Sequence, residues 1–290
     1  MINYHMPLYR PPSEARSLII QATLGCSYNQ CTFCSMYKTK TFQARDLKDI
    51  RSDLLSAKNS YRPVTRIFLA DGDALALSTD RLFKILDLIR EIFPNIERVS
   101  AYATGRNILG KTEAELRSLR EKGLSMLYIG LESGDEAVLE SINKGETAET
   151  IIASSKKVMD AGIVLSMTVI SGLGGRKHKA SHAVNTAKAL SRIKPDYIGF
   201  LALMIEPDTI LYEQYQKGEF IPLSPAEIVQ EMIVFLNNID SEASVFRCNH
   251  ASNYFNLSGV LNRDITPMLH ELEEVKSDMS MLKDEKYRLL

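Results

Sequence analysis

Six short apolar, β-rich runs alternate with amphipathic helical stretches along most of this chain, and that alternation restricts the fold more than any other feature. The runs are Ser17–Thr23, Arg66–Ala70, Arg98–Ala103, Met126–Gly130, Val164–Ser171 and Tyr197–Leu203. Each is nearly continuous in apolar character, which suits parallel strands covered by helices. The intervening helices carry their own punctuation. Thr79 stands as N-cap of Asp80–Phe93, which Pro94 stops, and Thr112 opens a helix that ends at Gly123. Thr147 opens a helix to Ala161 with Gly162 just beyond it; Lys177–Ile193 stops before Pro195; Ser224 and Pro225 open another to about Ile239. A βα order repeated about six times predicts a parallel sheet with right-handed crossovers. The expected fold class is therefore α/β, a partial (β/α)6 TIM-like barrel with a C-terminal cap rather than a closed eightfold barrel. Residues 1–223 are read as the barrel with an N-terminal extension. Residues 224–290 are read as a helical and loop cap, not an independent domain, ending in a charged helix over Ile265–Lys286.

Three of the four cysteines, Cys26, Cys31 and Cys34, fall within nine consecutive positions, directly after the first predicted strand. In barrels, loops at the carboxyl ends of strands form the active site. No run of eighteen apolar residues is present, so no membrane span is expected, and the first residues lack a secretory apolar core. The expected location is cytoplasmic, where close-set cysteines serve as ligands or redox groups more often than as disulfides. With Lys+Arg 35 against Asp+Glu 36, there is no general basic field to favour nucleic acid. Spacings of four and two residues between thiolates suit one metal centre. Three thiolates on a [4Fe–4S] cluster would leave one iron open. A zinc site would ask for a fourth ligand, which Cys248 or His250 could supply.

The cysteine run, GCSYNQCTFCSMY, has Phe33 just before its last cysteine. In this it resembles the cluster motif of radical S-adenosylmethionine (SAM) enzymes, with one residue more in the first gap than the usual CxxxCxxC. FLADGDAL (68–75) lies where that superfamily often has GGE. Gly72 matches the second glycine, Asp73 stands in for the glutamate, and Asp71 departs from the first glycine. YIGLESGDEAVLESINKG (128–145) resembles the fourth-strand segment of the coproporphyrinogen-oxidase-like and tRNA-modifying branches, and VISGLGG (169–175) resembles the glycine motif beside the adenine. EPDTILYEQYQKGEF (206–220) resembles the segment after strand six in the same branches. The resemblance implies a [4Fe–4S] cluster on Cys26, Cys31 and Cys34. It implies SAM held near Phe33, Gly72, Asp73, Glu132, Ser133 and Gly172. The implied reaction is reductive cleavage of SAM to a 5′-deoxyadenosyl radical, which abstracts hydrogen from a substrate. An electron donor such as flavodoxin or ferredoxin is implied with it.

Other residues are read from composition and position. Arg106 follows the third strand and could pair with a carboxylate of SAM or substrate. GLGG at 172–175 is neither a dinucleotide nor a P-loop fingerprint, and serves better as tight-turn glycines. His178 and His182 share a helix face but lack the glutamate of HExxH. RCNHASNY (247–254) is dense in polar groups for a connector, and Cys248 or Tyr254 could return a hydrogen atom to a substrate radical. The substrate is expected to be a small or medium-sized molecule. Two alternatives stand beside this reading: a zinc-stabilised binding protein, and an iron–sulfur electron carrier without SAM chemistry.

Overall fold

The computed structural model describes residues 2–59 and 63–288. The chain divides into two compact units. The first comprises Met1–Asn29, Met36–Ile129 and Ala153–Leu165; the second comprises Gln30–Ser35, Gly130–Ile152 and Ser166–Leu290.

In the first unit, β1 (Leu18–Gln21), β2 (Arg66–Ala70), β3 (Arg98–Ala103) and β4 (Leu124–Glu132) pair in parallel in that order. The register sets Ile19 beside Phe68, Phe68 beside Ser100 and Ala101 beside Leu127. Both faces of these strands are covered, which is why their sequences read as apolar runs. On one face Ile19, Phe68, Ala70, Met126 and Tyr128 form a cluster joined by Tyr4, Leu8 and Tyr102. The Phe68 ring meets those of Tyr102 and Tyr128 edge-on, at 5.0 and 6.0 Å between centroids. The helices α1 (Leu47–Lys58), α2 (Thr79–Ile92) and α3 (Glu113–Glu121) begin on short polar residues. Ser78, not Thr79, caps α2, accepting the Arg81 N–H. Thr112 and Glu115 close a reciprocal capping box on α3.

At the amino-terminal ends of these strands Glu14 is fully buried. It accepts hydrogen bonds from Ser17, from Arg98 (2.8 Å), from Ser100 (2.9 Å) and from Tyr128 (2.6 Å). Burial alone would raise its pKa, but these donors outweigh it and hold the carboxyl below its ordinary 4.5. A carboxylate depressed in the folded state stabilises above the unfolded value, and that stabilisation is lost as pH falls through the folded one. Glu14→Gln is expected to destabilise the protein by about 2 kcal/mol at neutral pH. In urea melts, the gap from wild type should narrow as pH drops below 4.5.

The helix α4 (Ala148–Asp160) leads into β5 (Val164–Ser171). In the second unit β5 pairs in parallel with β6 (Tyr197–Ala202), and β6 in parallel with β7 (Val245–Cys248). The last strand, β8 (Leu257–Val260), runs antiparallel to β7. Thus RCNHASNY begins within a sheet strand, Arg247 and Cys248 being the last residues of β7. Phe200 of β6 lies 4.6 Å from Phe235 and 5.4 Å from Phe246 between ring centroids, tying α6 (Pro225–Leu236) to β6 and β7. The helix α5 (Gly175–Ile193) ends at Lys194 in the left-handed region, just before Pro195. The terminal helix α7 spans Ile265–Ser277, with Leu272 and Val275 buried. Among the described residues no helix is long and apolar enough to cross a membrane.

Candidate cofactor site

The first unit gathers its functional side chains just past the carboxyl ends of β1, β2 and β3. Gly25, at φ 72°, turns the chain out of β1 toward Cys26. Its N–H donates to fully buried Asp71 Oδ2 (3.0 Å), and Gly72 N–H donates back to Gly25 O (3.1 Å). Asp71 also accepts from Gln21 Nε2 (3.1 Å) and pairs with Lys40 Nζ (2.8 Å). Lys40 donates in turn to the carbonyls of His5 and Pro7, both at 2.6 Å. The departure from glycine at 71 thus has a structural reason: the carboxylate anchors the start of the cysteine loop. A Cβ at Gly72 would stand 2.7 Å from Tyr37 Cε2 and 3.0 Å from Cys26 Cβ. Glycine there is what lets the half-buried Cys26 lie against this turn.

Asp73 is also fully buried. Its Oδ2 accepts from Ser27 (2.6 Å), Thr104 (2.9 Å) and Asn107 (2.5 Å). Its Oδ1 is buried with no hydrogen-bond partner. Burial raises the pKa of this carboxyl, and hydrogen bonds from Ser27, Asn107 and both the side chain and backbone of Thr104 offset only part of the effect. Arg106 places its guanidinium 4.2 Å from the centre of the Tyr28 ring, a cation–π contact on the loop that also carries Cys26.

In the second unit, Cys31 and Cys34 are half-buried and bracket a tight turn, with Cys34 N–H donating to Cys31 O (3.3 Å). Between them Thr32 receives Leu211 N–H (3.0 Å) at its carbonyl and donates its N–H to Ile142 O (2.8 Å). Phe33 packs on Val138, Leu139, Ile142 and Leu173, which anchors the turn. Glu132 takes φ 60°, and its Oε1 accepts from Lys144 Nζ (3.0 Å). A side chain at Gly130 would overlap that carboxylate. The ammonium of Lys144 is buried, which alone would lower its pKa. The negative charges of Glu132 and Cys31 outweigh burial and hold it above its ordinary value. Lys144 therefore joins Cys31 and Glu132 electrostatically. Sequence reasoning passed it over, although its place in the SINKG segment offered a signal.

Ser133 is fully buried, its hydroxyl 2.8 Å from His182 Nδ1. Gly172, at φ 81°, donates its N–H to Glu231 Oε1 (2.7 Å). Neither His182 nor Glu231 was singled out for this role in the sequence. Cys248 is buried in β7, and burial pushes its thiol pKa up to about 12. The Tyr254 hydroxyl donates to Glu285 (2.7 Å) and accepts from Arg288 (2.6 Å); burial foremost raises its pKa to about 12. Asn253 Nδ2 donates to Phe200 O (2.8 Å), which ties this segment to β6. Among the described residues no three His, Cys, Asp or Glu side chains form a group suited to a single metal ion.

A sequence model of the radical SAM superfamily matches residues 20–190. The chain belongs to that superfamily. Its members are enzymes that use a [4Fe–4S] cluster and SAM. The heme chaperone HemW of Bacillus subtilis (strain 168) is 27% identical over 178 residues, covering 61% of this chain and 46% of that protein. A putative methylthiotransferase of Methanocaldococcus jannaschii is 23% identical over 180 residues, covering 58% of this chain and 39% of that protein. The chain thus spans less than half the length of these curated relatives. Among solved structures, coproporphyrinogen III oxidase (HemN) of Escherichia coli aligns at a TM-score of 0.57 and 21% identity, covering 76% of this chain and 52% of that one. Methylornithine synthase aligns at 0.54 and 15% identity, covering 91% and 84%. These likenesses show the fold: the TIM-barrel-like α/β architecture of radical SAM proteins.

Proposed function

We propose that this radical SAM protein holds a [4Fe–4S] cluster on Cys26, Cys31 and Cys34 and cleaves SAM reductively to act on a small or medium-sized substrate. The observation that carries the reading is Asp73, a buried carboxylate with one oxygen unpartnered, on the loop packed against Cys26. Such an oxygen is costly unless a donor completes it, and the ammonium of a bound amino acid would do so. The donor set also fits the cluster. None of the three cysteines is in a disulfide and all are half-buried, and a cluster takes each thiolate on a different iron, so no convergence on one ion is required.

The bound cofactors would supply the electron that breaks the SAM carbon–sulfur bond and the 5′-deoxyadenosyl radical that takes hydrogen from substrate. The chain's own residues bind, orient and exclude water. Asp71 and Lys40 hold the turn after β2 in place; Gly72 gives Cys26 room; Asp73 receives the ammonium. Glu132 and Lys144 set charges beside Cys31, and Gly172 keeps the turn after β5 open for the adenine. Arg106, its guanidinium over the Tyr28 ring, would pair with a carboxylate of SAM or substrate. Cys248 and Tyr254 keep their hydrogens at neutral pH, as return of a hydrogen atom to a substrate radical would require. An electron donor such as flavodoxin or ferredoxin completes the system.

The test is 5′-deoxyadenosine formation by anaerobically reconstituted, dithionite-reduced protein. Protein that carries the cluster but neither binds nor cleaves SAM would sink the reading. Asp73→Asn separates binding from stability. Because folding raises the Asp73 pKa, the ionised group destabilises the folded state as pH rises above the unfolded value. The variant is therefore expected to melt no lower than wild type at neutral pH without SAM, yet bind SAM at least about tenfold more weakly. Calorimetry and equilibrium dialysis read the two effects.

A further inference from the structure

We propose that His182 and Glu231 form a positioning pair that holds the loop after β4 and the loop after β5 in a single arrangement for SAM. The inference rests on the cofactor reading above. It begins from the apolar stripe of α5, where His182 sits among buried Ala183, Thr186, Ala187 and Leu190. Its side chain is 2% exposed and that of Glu231, on α6, is 3% exposed.

The polar contacts of the two loops converge on Glu231. Asp135 N–H donates to Ser133 Oγ (3.0 Å), and Ser133 Oγ lies 2.8 Å from His182 Nδ1. His182 Nε2 faces Glu231 Oε1 at 3.9 Å, an electrostatic contact longer than a hydrogen bond. A lone pair on Nε2 would point at the carboxylate, so the proton belongs on Nε2. Nδ1 is then the acceptor, and the Ser133 hydroxyl donates to it. Glu231 Oε1 receives the Ser171 hydroxyl (2.6 Å) and Gly172 N–H (2.7 Å) from the other loop.

Two consequences follow for the residues assigned to SAM. The Ser133 hydroxyl is engaged on both sides within the protein, so Ser133 shapes the loop rather than touching the ligand with its side chain. Gly172, whose left-handed backbone opens the turn, has its N–H held by a carboxylate on α6. The same face of α5 adds two contacts to the β4 loop: Thr186 Oγ1 accepts Gly134 N–H (2.9 Å), and Asn185 Nδ2 donates to Asp135 Oδ2 (2.7 Å). Glu231 Oε2 is buried without a partner. An apolar pair would fill the volume at lower desolvation cost. It would not join Ser133 and Gly172 through one polar line.

The test uses the reconstituted holoprotein and the His182→Ala, His182→Asn and Glu231→Gln variants. Three quantities are read: SAM affinity by equilibrium dialysis, the reduced cluster's EPR signal with and without SAM, and amide hydrogen exchange over residues 171–173. His182→Ala and Glu231→Gln are expected to weaken SAM binding roughly tenfold or more, the scale of supporting contacts at cofactor sites. They should also speed exchange at Gly172 while iron content and the SAM-free EPR signal stay unchanged. His182→Asn, whose amide oxygen can accept from Ser133, should recover part of the affinity. Unchanged SAM affinity and exchange in both His182→Ala and Glu231→Gln, beside a wild type that binds SAM, would overturn the pair alone. So would His182→Asn behaving like alanine. A wild type whose EPR signal ignores SAM would instead overturn the cofactor reading, and this proposal with it.

Discussion

Alanine at any one of Cys26, Cys31 or Cys34 is expected to reduce 5′-deoxyadenosine formation to the level of a protein-free control. The size of the effect follows from the ligand set. A cluster held by three thiolates has no spare protein ligand. Among the described residues the remaining cysteine, Cys248, is buried in β7, with burial holding its thiol strongly protonated. The cysteine turns are also held by backbone contacts that the substitution leaves alone: Thr32 to Ile142 and Leu211, and Gly72 to Gly25. Folding should therefore survive, and loss of iron with an unchanged far-ultraviolet circular dichroism spectrum is the expected signature. Cys248→Ala should keep its iron. Full iron loading and SAM cleavage in all three single variants would refute the assignment.

Gly134→Ala is expected to carry a large stability cost for a single added methyl. A Cβ at this position would overlap the carbonyl of Asn185 and stand 2.7 Å from both Asn185 C and Thr186 Cα. These are backbone atoms in the middle of α5, which cannot rotate away as a side-chain tip would. The loop must lift, and Gly134 N–H, Asp135 and Ser133 lose their α5 partners together. Overpacking of this kind costs typically about 1–3 kcal/mol, and the rigid neighbour places this case at about 3. The melting temperature should fall by several degrees. Gly162→Ala is the internal comparison. Its φ of 74° strains any side chain, yet nothing lies within 4 Å, so about 1 kcal/mol is expected. Equal melting temperatures for the two variants would refute the close-approach argument.

Local signals in the sequence located most of the scaffold. Arg66–Ala70, Arg98–Ala103 and Val164–Ser171 emerge with the bounds read from their apolar runs; the first two are buried nearly throughout, while Val164–Ser171 alternates buried and half-buried positions. The boxes at Thr112 and Ser224 are short-range and so legible. The run SVFRCNHASNYFNLSG reads as strand and loop, but its two strands, Val245–Cys248 and Leu257–Val260, are four residues each and interrupted by Arg247, Ser258 and Gly259, so their bounds are not marked. At the site, Gly72 and Asp73 could be found by their resemblance to the superfamily's GGE motif. Their supports could not. Ser133 meets His182 across 49 positions, and Ser171 meets Glu231 across 60. His182 did carry one clue: it lies four residues before Thr186 and eight before Leu190, on the buried stripe of its helix. A histidine on such a stripe needs a polar partner, and which one it has is a tertiary fact.

The Lys40–Asp71 pair has a corollary for substitution. Both side chains are almost entirely shielded, 8% and 0% exposed. Losing one charge alone would strand the other, at about 3–5 kcal/mol, a large share of a typical domain's stability. Glycine at position 71 is therefore not a neutral single substitution. A chain with glycine there would have to lose the cation at 40 as well, and rebuild its hold on His5 and Pro7. The two charges constrain each other: neither position can change alone without stranding its buried partner.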